Sequence, residues 1–398
     1  MAQKKLKVGI NGRFFVNKNT GIGRYSLNIF PEIARQYPEL ELIIAIPEKL
    51  DAETDKYLRY QNNMRVILVK ENNLLKKLHG GLAKFLWEKI SLSKFFREEE
   101  VDLIHSPYPD LSRGGETMPK IVTVHDIIPW SDENYFQRTQ LSLLYNKATL
   151  EASKKADFVI TVSDFSRKET LNLGCFDQDR VKTIHNACEF NDAPHFSIEE
   201  QGKILERFGL KVEDKYLFYM GGYDKRKNVQ RLINIFEGMS AAMPDLKLVL
   251  GGNKVLKNSL YMDLKIPKKL ENKIIFSGFL SNRELIVLYR GSVAFWSATT
   301  SEVFNLPLLE ALTLGTPAIV SDLAVHREVA GELAYYFDLA WNDSRVAKEI
   351  VTLLTQEDQY NKYRQRVRHS KEELQQRFSW QNSAQQVAEI YFKVKSWN

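Results

Sequence analysis

Glu302 and Glu310 stand eight residues apart in the stretch S-E-V-F-N-L-P-L-L-E-A-L-T-L-G-T-P-A-I-V-S, Ser301–Ser321. Pro307 suits the first position of a helix, because its missing N–H would be unpaired there anyway. Gly315 and Pro317 suit the end of that helix, glycine as a left-handed cap and proline as a residue that cannot continue it. The apolar runs Val293–Trp296 and Ala318–Val320 on either side read as short buried strands. A strand, a loop and the positive end of a helix are thus implied, with free backbone N–H groups over Phe304, Asn305 and Leu306. Such an end seats phosphate. A carboxylate flanks the seat on each side. Glu302 can accept hydrogen bonds from sugar hydroxyls. Glu310, expected in the first helical turn, can accept from a ribose. The chemistry implied is that of a sugar carried on a nucleoside diphosphate.

A second group supports it. Gly221-Gly222-Tyr223-Asp224-Lys225-Arg226-Lys227-Asn228 follows the apolar run Tyr216–Met220. Two glycines permit close backbone approach, Arg226 and Lys227 supply cations, and Asn228 is a candidate helix cap. Alone, three basic residues usually read as a solvated face; after a parallel strand they read as a diphosphate contact. Gly21-Ile22-Gly23-Arg24-Tyr25 is a G-x-G at a loop-to-helix turn, short of a dinucleotide fingerprint. His125-Asp126 ends the run Ile121–Val124. The histidine reads as a structural hydrogen-bond maker or as a reactive group oriented by Asp126. Asp177-Gln178-Asp179 follows a helix end rather than a strand, and the seven histidines form no H-E-x-x-H, so no metal site is expected. Lys70–Arg97 interleaves Lys76, Lys77, Lys84, Lys89, Lys94 and Arg97 with leucines, Phe85, Trp87 and Ile90. That basic amphipathic pattern fits a surface helix or a helix lying on a membrane.

These residues need a scaffold. Strand-like runs recur at Leu6–Ile10, Leu42–Ile46, Val66–Val69, Leu103–His105, Ile121–Val124 and Phe158–Val162, with helical patterns between most of them. A polar segment, Asn186–Gln201, reads as a linker. A second series follows at Tyr216–Met220, Leu246–Leu250, Ile274–Phe276, Val293–Trp296, Ala318–Val320 and Ala334–Phe337. Strands alternating with helices predict parallel sheets covered on both faces. A length of 398 residues is too much for one ordinary core and predicts two domains. Open sheets of this kind bind ligands beyond the carboxyl ends of their strands. Ser281-Asn282-Arg283-Glu284 predicts a capping box.

Composition, at 44% hydrophobic and 27% charged, excludes a disordered chain. A net charge of +6 suits anionic ligands or an anionic surface but is no nucleic-acid footprint. Cys175 and Cys188 lack C-x-x-C spacing and read as reduced thiols. No signal peptide and no run of about 18 apolar residues is found, so nothing is expected to span a membrane.

The pattern E-x-F-x-L-P-x-x-E-A followed by G-T-P resembles the E-x7-E motif of the family 4 retaining glycosyltransferases. The resemblance covers nearly the whole chain, including V-S-D-F-S at Val162–Ser166 and F-S-W at Phe378–Trp380. It implies the α/β GT-B fold: two Rossmann-like, doubly wound domains facing across a cleft. Residues 1–195 would be the acceptor-binding domain and 205–377 the nucleotide-sugar-binding domain, with a C-terminal helix, 378–398, crossing back to the first. The implied reaction moves a hexose, mannose from GDP-mannose as first guess, to a hydroxyl of a glycan or lipid-linked acceptor, in bacterial surface polysaccharide synthesis. Retention, no cofactor and no metal are implied. His125, Glu302, Lys227 and Arg226 would be catalytic. Gly21, Gly23, Gly222, Arg226, Lys227, Phe279, Leu280, Glu302, Phe304, Asn305, Leu306 and Glu310 would bind the donor. The expected location is cytoplasmic, with peripheral contact to an anionic membrane through residues 70–97 and no nucleic-acid partner. The family usually has glycine where this chain has Val303 and Asn305, and many members have arginine at the position of Gly222. Those departures leave a second reading open, a GT-B-like partner subunit whose donor site has decayed. A GT-B sugar-nucleotide epimerase would lack the E-x7-E pattern.

Overall fold

The computed structural model describes residues 5–18, 20–113, 118–131, 140–252 and 264–396. The chain divides into two compact units, Met1–Asn186 with Phe378–Asn398, and Ala187–Arg377.

The first unit is built on seven strands: β1 (Leu6–Asn11), β2 (Leu40–Ile46), β3 (Met64–Leu68), β4 (Leu103–Ser106), β5 (Lys120–Val124), β6 (Phe158–Thr161) and β7 (Val181–Thr183). All pair in parallel, in the order β3-β2-β1-β4-β5-β6-β7. The reason is visible in β2, L-E-L-I-I-A-I, which is buried almost throughout: a strand covered on both faces cannot alternate polar and apolar residues. The edge strand β7 was not anticipated. V-K-T is three residues long with one buried side chain, too short and too polar to stand out.

The final helix, Trp380–Lys395, belongs to this unit and packs on the helix Gly21–Gln36. It buries Val387, Ile390 and Tyr391. Tyr391 Oη lies 2.6 Å from His105 Nδ1, and His105 Nε2 lies 2.8 Å from Thr123 Oγ1. The chain's last helix is thereby tied to β4 and β5. Burial drives the His105 pKa down to about 3, so the ring stays neutral and serves as a spacer of fixed hydrogen-bond polarity.

The region 70–97 is less uniform than its sequence. The helix Asn73–Leu86 carries non-helical backbone at His79, beside Gly80 and Gly81, and runs on as a π-helical turn, Trp87–Leu92. Trp87 is buried and donates its indole N–H to the Val69 carbonyl at 2.6 Å. Lys84 does not join the surface lysines. Its ammonium lies 4.5 Å from the centre of the Tyr145 ring and 3.7 Å from the buried Glu88.

The second unit holds β8 (Tyr216–Met220), β9 (Lys247–Gly251), β10 (Ile274–Gly278), β11 (Ala294–Ser297), β12 (Ala318–Ser321) and β13 (Ala334–Phe337), in the order β10-β9-β8-β11-β12-β13. Again all pairings are parallel. The helix Val229–Met239 buries Leu232, Ile233, Ile235 and Phe236 against Leu217, Leu248 and Trp296. Each such side chain contributes about 1.5–3 kcal/mol when removed from water. The expected capping box is present: Ser281 N–H donates to Glu284 Oε2 at 2.8 Å, and Ser281 Oγ accepts from Glu284 N–H. The expected linker is shorter than 186–201. Arg290 donates to the carbonyls of Ala193 and Pro194, Gln375 donates to that of Asn191, and a second capping box, Ser197 with Glu200, starts the helix Ile198–Glu206. Among the described residues no helix is long and apolar enough to cross a membrane.

Candidate active site

In the second unit the strand order reverses between β8 and β11, which are neighbours although β9 and β10 lie between them in sequence. Loops leaving the carboxyl ends of two such strands diverge and leave a crevice. The loop after β8 carries Gly221–Asn228, and the loop after β11 carries Ala298–Asn305.

The two loops are strapped together. The Arg226 carbonyl accepts from Thr300 N–H at 2.8 Å and from Thr299 Oγ1 at 3.0 Å. Arg226 Nη1 donates to the Ser301 carbonyl and to Glu302 Oε2, both at 2.9 Å, and its Nε lies 3.5 Å from Asp224. Lys227 Nζ donates to the other oxygen, Glu302 Oε1. Glu302 is 6% exposed. Burial alone would raise its pKa, but Lys227 and Arg226 outweigh burial and hold it below the usual carboxylate range. Glu302 is thus a carboxylate at neutral pH, held between two cations that themselves sit at the crevice.

The helix Leu306–Thr313 begins where the sequence places it, with Pro307 second in the helix rather than first. Asn305, its cap, adopts φ +70°, ψ +67°. This is the left-handed region, which a glycine enters freely and asparagine more readily than most residues. Val303 is not among the residues with positive φ, so glycine is not required there. Asn305 adds what glycine could not. Its Oδ1 accepts from Leu308 N–H at 3.4 Å, and its Nδ2 lies 2.8 Å from His326 Nε2. His326 Nδ1 lies 2.7 Å from the Ser321 carbonyl at the end of β12, which can only accept. Nδ1 therefore carries the proton, and Nε2 accepts from the Asn305 amide. Burial lowers the His326 pKa and keeps the ring neutral. Asn305 is thus a built cap on this helix.

Glu310 is the fifth residue of its helix, one turn deeper than expected, and is 2% exposed. Tyr289 Oη donates to its Oε2 at 2.9 Å. Asn228 does not cap its helix as expected. It takes φ +54°, and its side chain donates to the Ala298 carbonyl at 3.2 Å, a further strap between the loops. Phe304 is buried; Phe279, just after β10, is 66% exposed, with Leu280 buried beside it. Gly222 offers its carbonyl to Tyr219 Oη.

Gly21, Gly23 and His125 lie in the first unit. Gly21 opens the helix Gly21–Gln36, capped by Thr20 through Gly23 N–H. A Cβ on Gly23 would stand 2.3 Å from the Asn17 carbonyl oxygen, so only glycine fits. The same helix places Tyr25 edge-on to His125, ring centres 4.6 Å apart. A ring nitrogen of His125 is hydrogen-bonded to the backbone of Pro107, which offers only a carbonyl, so that nitrogen carries the proton. Its Nε2 is buried with no hydrogen-bond partner among the described residues. Burial lowers the His125 pKa to about 3, leaving a neutral ring with an unused acceptor. Asp126, expected to orient the ring, turns its Oδ1 back onto Ile128 N–H at 2.8 Å. Asp177 caps a turn through Asp179 N–H.

The sequence reading missed His326 and Tyr289, and named Tyr25 only as the end of the G-I-G-R-Y turn. No spacing marks His326, since its partner Asn305 lies 21 residues away on another element.

Two parallel sheets, each reversing its strand order at the centre, have the layout of the GT-B fold. Solved structures bear out the fold. HepE of Anabaena, in complex with UDP and glucose, matches at a TM-score of 0.71 and 18% identity, covering 98% of this chain and 100% of that one. Sucrose-phosphate synthase of Thermosynechococcus elongatus matches at 0.74 and 17%, covering 99% and 100%. Sequence models of two families divide the chain between them: Glycosyltransferase Family 4 over residues 20–191 and Glycosyl transferases group 1 over 200–370. Both halves of the chain thus match glycosyltransferase family models, and the chain is a transferase. Among curated relatives, O-antigen chain mannosyltransferase B of Escherichia coli is 26% identical over 94% of this chain and 96% of its own length. O-antigen chain mannosyltransferase RfbU of Salmonella typhimurium is 24% identical over 80% and 82%.

Proposed function

We propose that the protein transfers a hexose, mannose from GDP-mannose in the first instance, to a hydroxyl of a glycan or lipid-linked acceptor in surface polysaccharide synthesis. The observation that carries this is Glu302 clamped by Arg226 and Lys227 beside the capped helix Leu306–Thr313. Two mannosyltransferase relatives that span most of the chain support the sugar.

The second unit is the donor-binding domain in this reading, and the first the acceptor-binding domain. Arg226, Lys227 and the helix N-terminus meet the diphosphate; fixed donors and cations in a crevice stabilise the charge that develops there. Glu310 accepts from the ribose, and Phe279 and Leu280 lie toward the nucleoside. Glu302 orients the sugar and offsets positive charge at its anomeric carbon. His125 Nε2, neutral and unpaired, accepts from a hydroxyl of a bound sugar. The bond from the anomeric carbon to the diphosphate oxygen breaks, the acceptor oxygen bonds the same carbon on the same face, and the acceptor proton passes to the departing diphosphate. The configuration is therefore retained. Cationic side chains supply the charge, and no metal is required. The protein works on the cytoplasmic side, at the surface of an anionic membrane.

The test is a panel of nucleoside-diphosphate sugars assayed for slow hydrolysis and thermal stabilisation, with and without EDTA, and the anomeric configuration of the product read by NMR. GDP-mannose is expected to stabilise most, EDTA to change nothing, and the product to be the α-anomer. A stronger effect of a UDP-sugar overturns the donor, inversion overturns the mechanism, and activity lost in EDTA and restored by magnesium overturns metal independence.

A further inference from the structure

The first unit exposes apolar side chains on two adjoining helices. In the helix Asn73–Leu86, Leu74 is 71% exposed and Leu78 is 67% exposed, one turn apart on one face. A surface helix normally turns such a stripe inward. The helix Gln140–Lys154 adjoins it: a Cβ on Gly81 would lie 3.4 Å from Leu141 Cδ2. That helix exposes Leu141, Leu143 and, at 64%, Leu144. Lys76, Lys77 and Lys147 are exposed around these leucines.

A cavity of about 650 Å³ opens further along the same two helices. Phe85 and Lys89 line it from one side, Ala148, Ala152 and Lys155 from the other, with Leu111 and Arg113 beside them. Its walls are thus part apolar and part cationic. The acids at its edge are engaged: Glu151 pairs with Lys154 at 2.6 Å, and Asp157 accepts from Lys120 N–H at 2.7 Å. Lys120 itself is committed to Asp110. Lys89 lies over the Phe85 ring at 5.1 Å, and Lys155 adds its field at Glu151 to that of Lys154.

We propose that this face docks on an anionic bilayer, with the exposed leucines entering the interface and the cavity taking the phosphate of one anionic phospholipid on Lys89, Arg113 and Lys155. Apolar side chains beside a basic rim are what such a surface recognises, and exposed leucines without the cations would fit a protein partner as well. The inference deepens the membrane part of the proposed function and lies outside the donor residues.

Full-length protein is sedimented with vesicles of phosphatidylglycerol and phosphatidylcholine, and with vesicles of phosphatidylcholine alone, with no donor or acceptor present. Binding is expected only to the anionic vesicles and is expected to fall as salt rises. Changing Lys89, Arg113 and Lys155 together to glutamate should weaken it by about a hundredfold. Leu74→Ser with Leu78→Ser and Leu144→Ser should weaken it independently, which guards against one variant misfolding. Donor hydrolysis should stay at the parent level in both, so that a wrong assignment of donor or acceptor leaves the vesicle result intact. Undiminished vesicle binding in both variants overturns the proposal. So does a change of oligomeric state in the leucine variant, which would assign the face to a second copy, or full displacement from vesicles by inorganic phosphate, which would make the cavity a free-phosphate site.

Discussion

The two sheets reverse their strand order in the same way, yet they treat a buried glutamate at the reversal differently. In the first unit the reversal lies between β1 and β4, and charged groups pair near it: Arg13 with Glu71 at 2.6 Å, Lys120 at the start of β5 with Asp110 at 2.6 Å, and Lys84 near Glu88. Glu88 is fully buried. Its nearest cation stands at 3.7 Å, and Tyr108 and Tyr145 donate to it. Burial wins, and its pKa rises above the usual range. Glu302, at the reversal of the second sheet, is nearly as buried but touches Lys227 and Arg226 directly, and its pKa falls. Burial sets the cost of a charge, and the distance to the nearest cation decides whether that cost is met. The first unit leaves Glu88 to two tyrosine hydroxyls. The second keeps a permanent anion between two cations at a crevice.

The sharpest way to break the comparison is to remove each charge. Glu302→Gln should lower kcat on the order of a hundredfold and should destabilise the second unit by about 3 kcal/mol, because Arg226 and Lys227 lose their anion. Glu88→Gln should leave kcat unchanged. Steady-state kinetics with thermal unfolding of both variants decides it; equal losses would mean that the two glutamates are both structural.

Glu310→Ala should weaken nucleotide binding by about 1.5–3 kcal/mol, the worth of a hydrogen bond to a charged group. Titration calorimetry reads it. Tyr289→Phe is the control. It removes one donor to Glu310 and should cost about 1 kcal/mol of stability with little change in affinity. If Tyr289→Phe weakens nucleotide binding as much as Glu310→Ala, the carboxylate acts through its position in the core and not on the ligand.

Asn305→Ala should raise the donor KM and cost about 1–2 kcal/mol for left-handed backbone, with about 1 kcal/mol more for the lost cap. Asn305→Gly should recover most of that stability, since glycine bears φ +70° without strain. His326→Leu, which removes the partner of the Asn305 amide together with the donor to the Ser321 carbonyl, should fall between them in donor KM. A KM unchanged in all three would detach the cap from donor binding.

The smallest effect is on pH. The folded Glu302 pKa lies below its reference of 4.5, so its stabilisation is present above that value and fades as pH falls through the folded pKa. The folded Glu88 pKa lies above 4.5, so its contribution is present below that value and fades as pH rises. Relative to the parent, Glu88→Gln should gain stability as pH rises, and the deficit of Glu302→Gln should shrink as pH falls. Urea midpoints across the acid range test the two slopes, and slopes of equal sign would refute the assignment.

Much was legible because it is local. The alternation of apolar runs with helical patterns determined two parallel sheets, since strands buried on both faces must be apolar throughout. The Ser281–Glu284 box and the left-handed cap at Gly315 also follow from a few neighbouring residues. So do the candidates Glu302, Arg226 and Lys227, whose types and place after strands point to a diphosphate. Tertiary structure alone decided how they pair. Arg226 and Lys227 meet Glu302 across 75 or 76 residues because β8 and β11 are neighbours in the sheet, and no sequence spacing encodes that adjacency. It also sent Lys84 inward to Glu88 although Lys76, Lys77 and Lys89 face water, took Asn228 away from its cap, sank Glu310 into the core, and gave Asn305 its partner in His326. Hydrophobic period is a property of consecutive residues, whereas the pairing of buried polar groups depends on which strand ends the fold brings together.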